Sequence, residues 1–274
     1  MGDGGAGGAG GAGGYARWMS IGLLYWNLQC ESLASHTLSL LFLTSFSIFQ
    51  SLMARPEVLT DENFKFNDSR TIDVGYHNVT AKRITYVGEL GYELYVPTEE
   101  AVDVYEALIN SGAKNAGYFA VESMRIEKGY RAFGHELTPS DSPVEAGLMF
   151  TVDMSKEFIG KKAVKAMNDE KSKIHRRLFT VIIRDDPDLE SRPTMLWGGE
   201  VILMGGKPVG DLLSATYCST VKSCVGMGYV NHERVFEKGF TNKHEWSLMI
   251  GERTLPCSLQ IRCAYDSKGE KIRY

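Results

Sequence analysis

The chain has 274 residues, is 43% hydrophobic and 23% charged, and so reads as an ordinary globular protein of one or two domains. Its 30 basic residues face 34 acidic ones, a net charge of -4, which argues against a nucleic-acid binder with its basic face. Five cysteines (Cys30, Cys218, Cys224, Cys257 and Cys263) with no CxxC spacing indicate neither a disulfide framework nor a zinc site. They fit a reducing compartment, each as a small buried hydrophobe.

Residues 1–55 differ from the rest. "MGDGGAGGAGGAGG" is low-complexity and is expected to be disordered, because glycine loses much entropy on folding and has no side chain to bury. No charge appears between Ser32 and Ala54, a stretch long enough to span a bilayer. Eight of those 23 residues are Ser or Thr and flanking cations are sparse, so a membrane span is not expected. Neither a cationic signal peptide nor an Arg-rich transit peptide is legible.

From Pro56 apolar and polar residues alternate between turn residues, the pattern of short strands. Ile84 and Tyr86 are expected on one face of a strand, and Tyr92, Leu94 and Val96 on one face of the next. Gly88 and Gly91 bracket Glu89 and Leu90 in a glycine-assisted turn. One of these two glutamates, Glu89, is expected to face water in the turn. Thr98 is a candidate N-cap, Ala101, Val104, Tyr105 and Leu108 fall at helical spacing, and Gly112 is a plausible stop. A second helix is expected from about Tyr118 to Tyr130, packing through Ala120, Ser123, Met124 and Ile126, with Glu127 and Lys128 towards solvent. Near Glu170 the pattern changes to short runs such as "RRLFTVII" and "SCVGMGYV", separated by glycine-rich and charged turns, which point to a small β-barrel or sandwich. The domains expected are a leader over 1–55, an α+β unit over 56–170 and a β-rich unit over 171–274. The basic cluster His175-Arg176-Arg177 reads as a solvated strand edge.

No GxSxG, HExxH or P-loop is present, and no GxGxxG follows a strand and opens a helix. The residues alone give a weak enzyme signal. "YVGELGYELYVP", "NAGYFAVESMRIEKGYRAFG" and "DSPVEAGLMFTVDMSKEFIGKKAV" together resemble the C-terminal folate-binding part of the mitochondrial sarcosine and dimethylglycine dehydrogenases. That part is similar to the aminomethyltransferase, or T-protein, of the glycine cleavage system. "IEKGYR" and "DSPVEAGL" look most like sarcosine dehydrogenase, and the resemblance runs from about Leu59 to Tyr274.

The resemblance implies an incomplete aminomethyltransferase folate-binding domain followed by a small C-terminal β-barrel. It places Tyr86, Glu93, Leu94 and Tyr95 at the tetrahydrofolate pocket. There the Glu93 carboxylate would accept two pterin donors side by side and a tyrosine would flank the ring. Phe150 stands where a relative has a folate-binding tyrosine, and Val121 where the T-protein has a folate-binding arginine, so both of those polar contacts are lost. The FAD domain and the catalytic aspartate of the family are not found in this sequence, so no flavin is expected on this chain and no catalytic residue is assigned. A separate flavin-domain chain is the implied partner, and the mitochondrial matrix the implied compartment. The readings are a piece of a sarcosine dehydrogenase-like protein of one-carbon metabolism, a non-catalytic protein resembling the pyruvate dehydrogenase phosphatase regulatory subunit, or an inactive truncated product.

Overall fold

The computed structural model describes residues 23–27, 35–41, 43–184 and 194–273. The glycine-rich start and Cys30, both assessed above, lie outside the described residues. The chain divides into two compact units, Met1–Tyr118 with Gly269–Tyr274, and Phe119–Lys268.

The first unit carries a six-stranded sheet in the order β3-β4-β5-β2-β1-β6. Its strands are β1 (Leu23–Asn27), β2 (Ser35–Leu41), β3 (Ser69–Val74), β4 (His77–Lys82), β5 (Gly91–Pro97) and β6 (Lys114–Asn115). All pairs are antiparallel except β1 with β6. The expected leader is thus corrected in part. β1 and β2 are strands of this sheet, and β2 pairs with β5 from Ser35↔Pro97 to Leu41↔Gly91. The charge-free stretch also holds a helix of 10 residues, α1 (Leu43–Leu52). Among the described residues no helix is long and apolar enough to cross a membrane.

Alternation along the strands sorts the two sheet faces. Ile72, Val74, Val79, Ala81, Tyr92, Leu94 and Val96 point to one side and are buried there with Ile48 and Phe49 of α1. Tyr92 stacks on Phe49 with centroids 5.1 Å apart. Helix α2 (Ala101–Asn110) closes the same core with Ala101, Val104 and Leu108. It ends at Gly112, whose φ of 102° is the left-handed conformation that glycine adopts most readily. The helix starts later than expected, because a 3-10 turn at Thr98–Glu100 precedes it and Glu100 takes the N-cap position.

The second unit is a closed barrel, β10-β7-β12-β11-β8-β9. Its strands are β7 (Arg176–Ile183), β8 (Val201–Met204), β9 (Lys207–Cys218), β10 (Ser223–Asn231), β11 (Trp246–Ile250) and β12 (Arg253–Gln260). The interior is filled by Phe179, Val181, Ile202, Leu212, Leu248 and their neighbours. Helix α3 (Tyr118–Glu127) packs Ile126 on the outside of the barrel against Leu178, Cys218, Val225 and Met227. Ser123 Oγ also donates to the Tyr217 carbonyl at 3.0 Å. By compactness α3 thus goes with the barrel unit, from Phe119 onward. The charged segment near residue 170 forms helix α4 (Lys161–Asp169), which has no buried residue.

Packing corrects two further expectations. Glu127 and Lys128 do not face solvent: Thr220 Oγ1 donates to Glu127 Oε1 at 2.8 Å, and Lys128 Nζ donates to Asp266 Oδ2 at 2.5 Å. The segment around Tyr265 covers that side of α3, with Tyr265 N donating to the Glu127 carbonyl at 3.0 Å. In the basic cluster His175 is exposed, as a solvated edge requires, but the two arginines are engaged. Arg176 stacks over the Tyr229 ring at 3.5 Å and donates to Asp141 Oδ1 at 2.5 Å, while Arg177 lies over the Phe236 ring at 4.7 Å.

Burial works against the Asp141 carboxylate, but the Arg176 bond and two bonds from Thr138 outweigh it and hold its pKa below the usual value. A depressed folded pKa contributes stability above the unfolded carboxylate pKa, and that stability is lost as pH falls through the folded one. Acid unfolding of Asp141→Asn is therefore expected to show a shallower loss of stability below about pH 4 than the parent, from a lower starting stability at neutral pH. Urea melts from pH 7 to pH 2 check this; parallel curves would contradict it.

Candidate functional site

The sheet of the first unit has a second face. The alternation that buries Tyr92, Leu94 and Val96 turns Glu93 and Tyr95 to the other side, where both are half-buried. β4 aligns Lys82 opposite Glu93 and Thr80 opposite Tyr95, and β2 aligns Ser39 opposite Glu93 and Thr37 opposite Tyr95. The Tyr95 hydroxyl donates to Glu93 Oε2 at 3.0 Å. Among the described residues this is the one hydrogen bond to the Glu93 carboxylate. Burial, followed by the negative charge and the accepting oxygen of Glu93, raises the Tyr95 pKa, so the phenol stays protonated and remains a donor. Lys82 Nζ stands 4.8 Å from the centroid of the Tyr95 ring and makes no ion pair among the described residues.

The result is a cluster of three different chemistries on one strand pair. Glu93 has lone pairs left to accept ligand donors, Tyr95 orients that carboxylate and offers a ring, and Lys82 supplies a cation. Among the described residues no group of three or more His, Cys, Asp or Glu side chains is arranged to hold a metal ion.

The other expected residues are placed differently. Tyr86 is not on a strand: β4 ends at Lys82 and residues 83–90 form a loop. Thr85 Oγ1 shapes that loop by accepting from the amides of Val87 at 3.2 Å and Gly88 at 3.1 Å, and Gly88 takes a φ of 77°. The loop is anchored at its start by buried Arg83, which donates to the Phe64 carbonyl at 2.5 Å and pairs with Asp61. Tyr86 is 38% exposed on this loop. The Leu94 side chain is fully buried in the core on the face opposite Glu93, which leaves its backbone as the part able to meet a ligand on the Glu93 face. Phe150 belongs to the second unit, on the 3-10 turn Met149–Thr151, with its ring 82% exposed. Val121 is buried on α3.

Glu89 requires a correction. It does not face water: it is 7% exposed, in a part of the loop where Val87 and Leu90 are buried too. Turn residues are usually solvated, but this loop folds inward on its own bonds. The sequence reading missed Lys82 altogether, because its partnership with Glu93 depends on a register set across an eight-residue loop (83–90).

Residues 18–156 match the GCVT N-terminal domain, and residues 176–266 match the glycine cleavage T-protein C-terminal barrel domain. The first match begins upstream of Leu59, in agreement with the place of β1 and β2 in the sheet. A 4-methylaminobutanoate oxidase (formaldehyde-forming) of Paenarthrobacter nicotinovorans is 34% identical over 224 residues, 80% of this chain and 26% of its own length. The mitochondrial sarcosine dehydrogenase of Mus musculus is 30% identical over 223 residues, 78% of this chain and 23% of its own length. The chain thus spans about a quarter of the length of these curated relatives. The glycine cleavage system aminomethyltransferase T of Bartonella henselae shares the fold, with a TM-score of 0.66 at 20% identity over 82% of this chain and 58% of that one.

Proposed function

This chain belongs to the glycine cleavage T-protein family through both of its matched domains, and from that membership we infer that the Glu93 face of its sheet binds the pterin ring of a reduced folate. The observation that carries the reading is the Glu93 carboxylate, half-buried and engaged only by the Tyr95 hydroxyl among the described residues. A pterin presents an amine and a ring N–H side by side, and a carboxylate accepts both at once. The site therefore fits the group. Bound tetrahydrofolate would supply the nitrogen that takes up a one-carbon unit. The chain's own residues bind and orient: Glu93 accepts the paired donors, Tyr95 fixes the plane of that carboxylate, and the Tyr86 loop borders the same strand.

The role proposed is that of a folate-binding part of a sarcosine or dimethylglycine dehydrogenase-like system of one-carbon metabolism. Oxidation of the methylamine is proposed for a flavin-bearing partner. Because the sarcosine dehydrogenase relative is a mitochondrial protein, the mitochondrial matrix is the compartment proposed.

Hydrogen bonds to a charged group contribute roughly 1.5–3 kcal/mol each, so Glu93→Ala is expected to weaken tetrahydrofolate binding by about tenfold or more. Calorimetry on the parent and on Glu93→Ala, with matched thermal melts, checks this. Glu89→Ala is expected to lower the melting temperature instead, because Glu89 is buried. A parent protein that binds no reduced folate would remove this reading and leave the non-catalytic regulatory one.

A further inference from the structure

Lys82 is the one member of the Glu93 cluster that the reading above leaves without a role. It is the last residue of β4, directly opposite Glu93 in the register. Opposed side chains of that kind start about 5 Å apart at Cβ and share a face. An ion pair with Glu93 would be the simplest outcome, yet none forms. The ammonium instead stands over the Tyr95 ring at 4.8 Å, while the Tyr95 hydroxyl takes one oxygen of Glu93. The neighbouring cation, Arg83, is committed elsewhere, to the Phe64 carbonyl and Asp61. The pair therefore presents a carboxylate acceptor and, beside it, an ammonium donor held, among the described residues, only by a cation–π contact, which is weak at a half-exposed site.

We propose that Lys82 is a specificity-determining residue that donates to the 4-oxo group of the bound ring, so that Glu93 and Lys82 together read a 2-amino-4-oxo-pyrimidine edge. This rests on the reading of Glu93 as the pterin ligand. Such an edge carries two donors followed by an acceptor, in the order amine, ring N–H, carbonyl. Glu93 satisfies the two donors and Lys82 satisfies the acceptor next to them. A ring with an amine in place of the carbonyl sets a donor against the ammonium and also lacks the ring N–H beside it, so it is disfavoured at both Lys82 and Glu93. The ammonium moves from the face of Tyr95 to the ligand carbonyl without breaking an ion pair.

The test compares folic acid with its 4-amino-4-deoxy analogue, which differ at that position and in the hydrogen on the adjacent ring nitrogen, by calorimetry on the full chain. The parent is expected to prefer folic acid by about tenfold or more. Lys82→Met is expected to bind folic acid about tenfold more weakly and the analogue no worse than the parent does, so that the preference falls by about tenfold to the part that Glu93 supplies. Lys82→Arg, which keeps a donor, is expected to retain it. Matched thermal melts show that the variants fold. If Glu93→Gln weakens folic acid while Lys82→Met keeps the full preference, this inference is overturned and the pterin reading stands. If Glu93→Gln leaves folic acid binding unchanged, or the parent binds neither these compounds nor tetrahydrofolate, the reading beneath it falls and this inference with it.

Discussion

Arg125→Met is expected to destabilise the second unit by about 3–5 kcal/mol, the usual cost of breaking a buried ion pair by removing one partner. Arg125 has no exposed surface and sits between two carboxylates. Its Nη2 donates to Glu122 Oε2 at 2.6 Å and to Ser214 Oγ at 2.8 Å, and its Nη1 donates to Glu136 Oε1 at 2.8 Å. Burial opposes the guanidinium charge, yet the bonds to Glu122 and the charge and bond of Glu136 outweigh it and raise the pKa. Glu136 is as fully buried as Arg125, and its second oxygen accepts from the Ala132 amide at 2.8 Å. Without Arg125 a carboxylate is left buried without this partner. Methionine fills much of the volume, so the loss reports charge more than cavity. Arg125→Met combined with Glu136→Gln should recover part of the stability, because replacing both charges costs less than stranding one. Urea unfolding of the parent, the single variant and the double variant checks this; a single-variant loss below about 1 kcal/mol would be no more than an exposed pair gives, and would contradict it.

Gly210→Ala is expected to be as damaging, through the backbone alone. β9 and β10 shift register between Met227 and Gly228, and beyond that point Gly210 pairs with Val230. A Cβ at Gly210 would stand 1.9 Å from the Tyr229 carbonyl oxygen, which belongs to the neighbouring strand and cannot turn aside as a side chain would. The strands must part, and the barrel pairs that close through β10 part with them. A loss above about 4 kcal/mol is expected, in the range reached only by such specific mechanisms. Gly251→Ala is the control: its φ of 59° carries strain but a Cβ there meets nothing within 4 Å, so a loss of about 1–2 kcal/mol is expected. Thermal melts rank the two, and equal losses would show that the close approach at Gly210 is not limiting.

The sequence made some of this architecture legible and hid the rest for identifiable reasons. "RRLFTVII" was readable as a strand and is β7 over Arg176–Ile183, because a run of apolar and β-branched residues bounded by charge has few other solutions. Helix α2 was readable from Ala101, Val104 and Leu108, and its stop from Gly112. β1 and β2 were not readable. The serines and threonine of β2 obscure its strand alternation, and what makes the two segments strands is the pairing of β2 with β5 and of β1 with β2. The solvent face assigned to α3 failed for a related reason. Glu127 and Lys128 look like surface residues until the segment around Asp266 returns to cover them.

In the candidate site, the alternation of β5 set Glu93 and Tyr95 on one face and Leu94 on the other, and this pattern could be read directly. Which glutamate was buried could not, since the inward fold of the 83–90 loop depends on Thr85 accepting two amides and on Arg83 reaching Phe64 and Asp61. The place of Lys82 needed the register itself.

The central claim is that the Glu93 carboxylate meets the pterin, and carboxyl-carbon NMR observes that contact without relying on affinity alone. Protein labelled with carbon-13 at the glutamate carboxyls would be titrated with tetrahydrofolate, with the Glu93 resonance identified by its loss in Glu93→Gln. The account predicts that this resonance moves with ligand occupancy while that of Glu89 stays in place. Saturable binding that leaves the Glu93 resonance unmoved would contradict it.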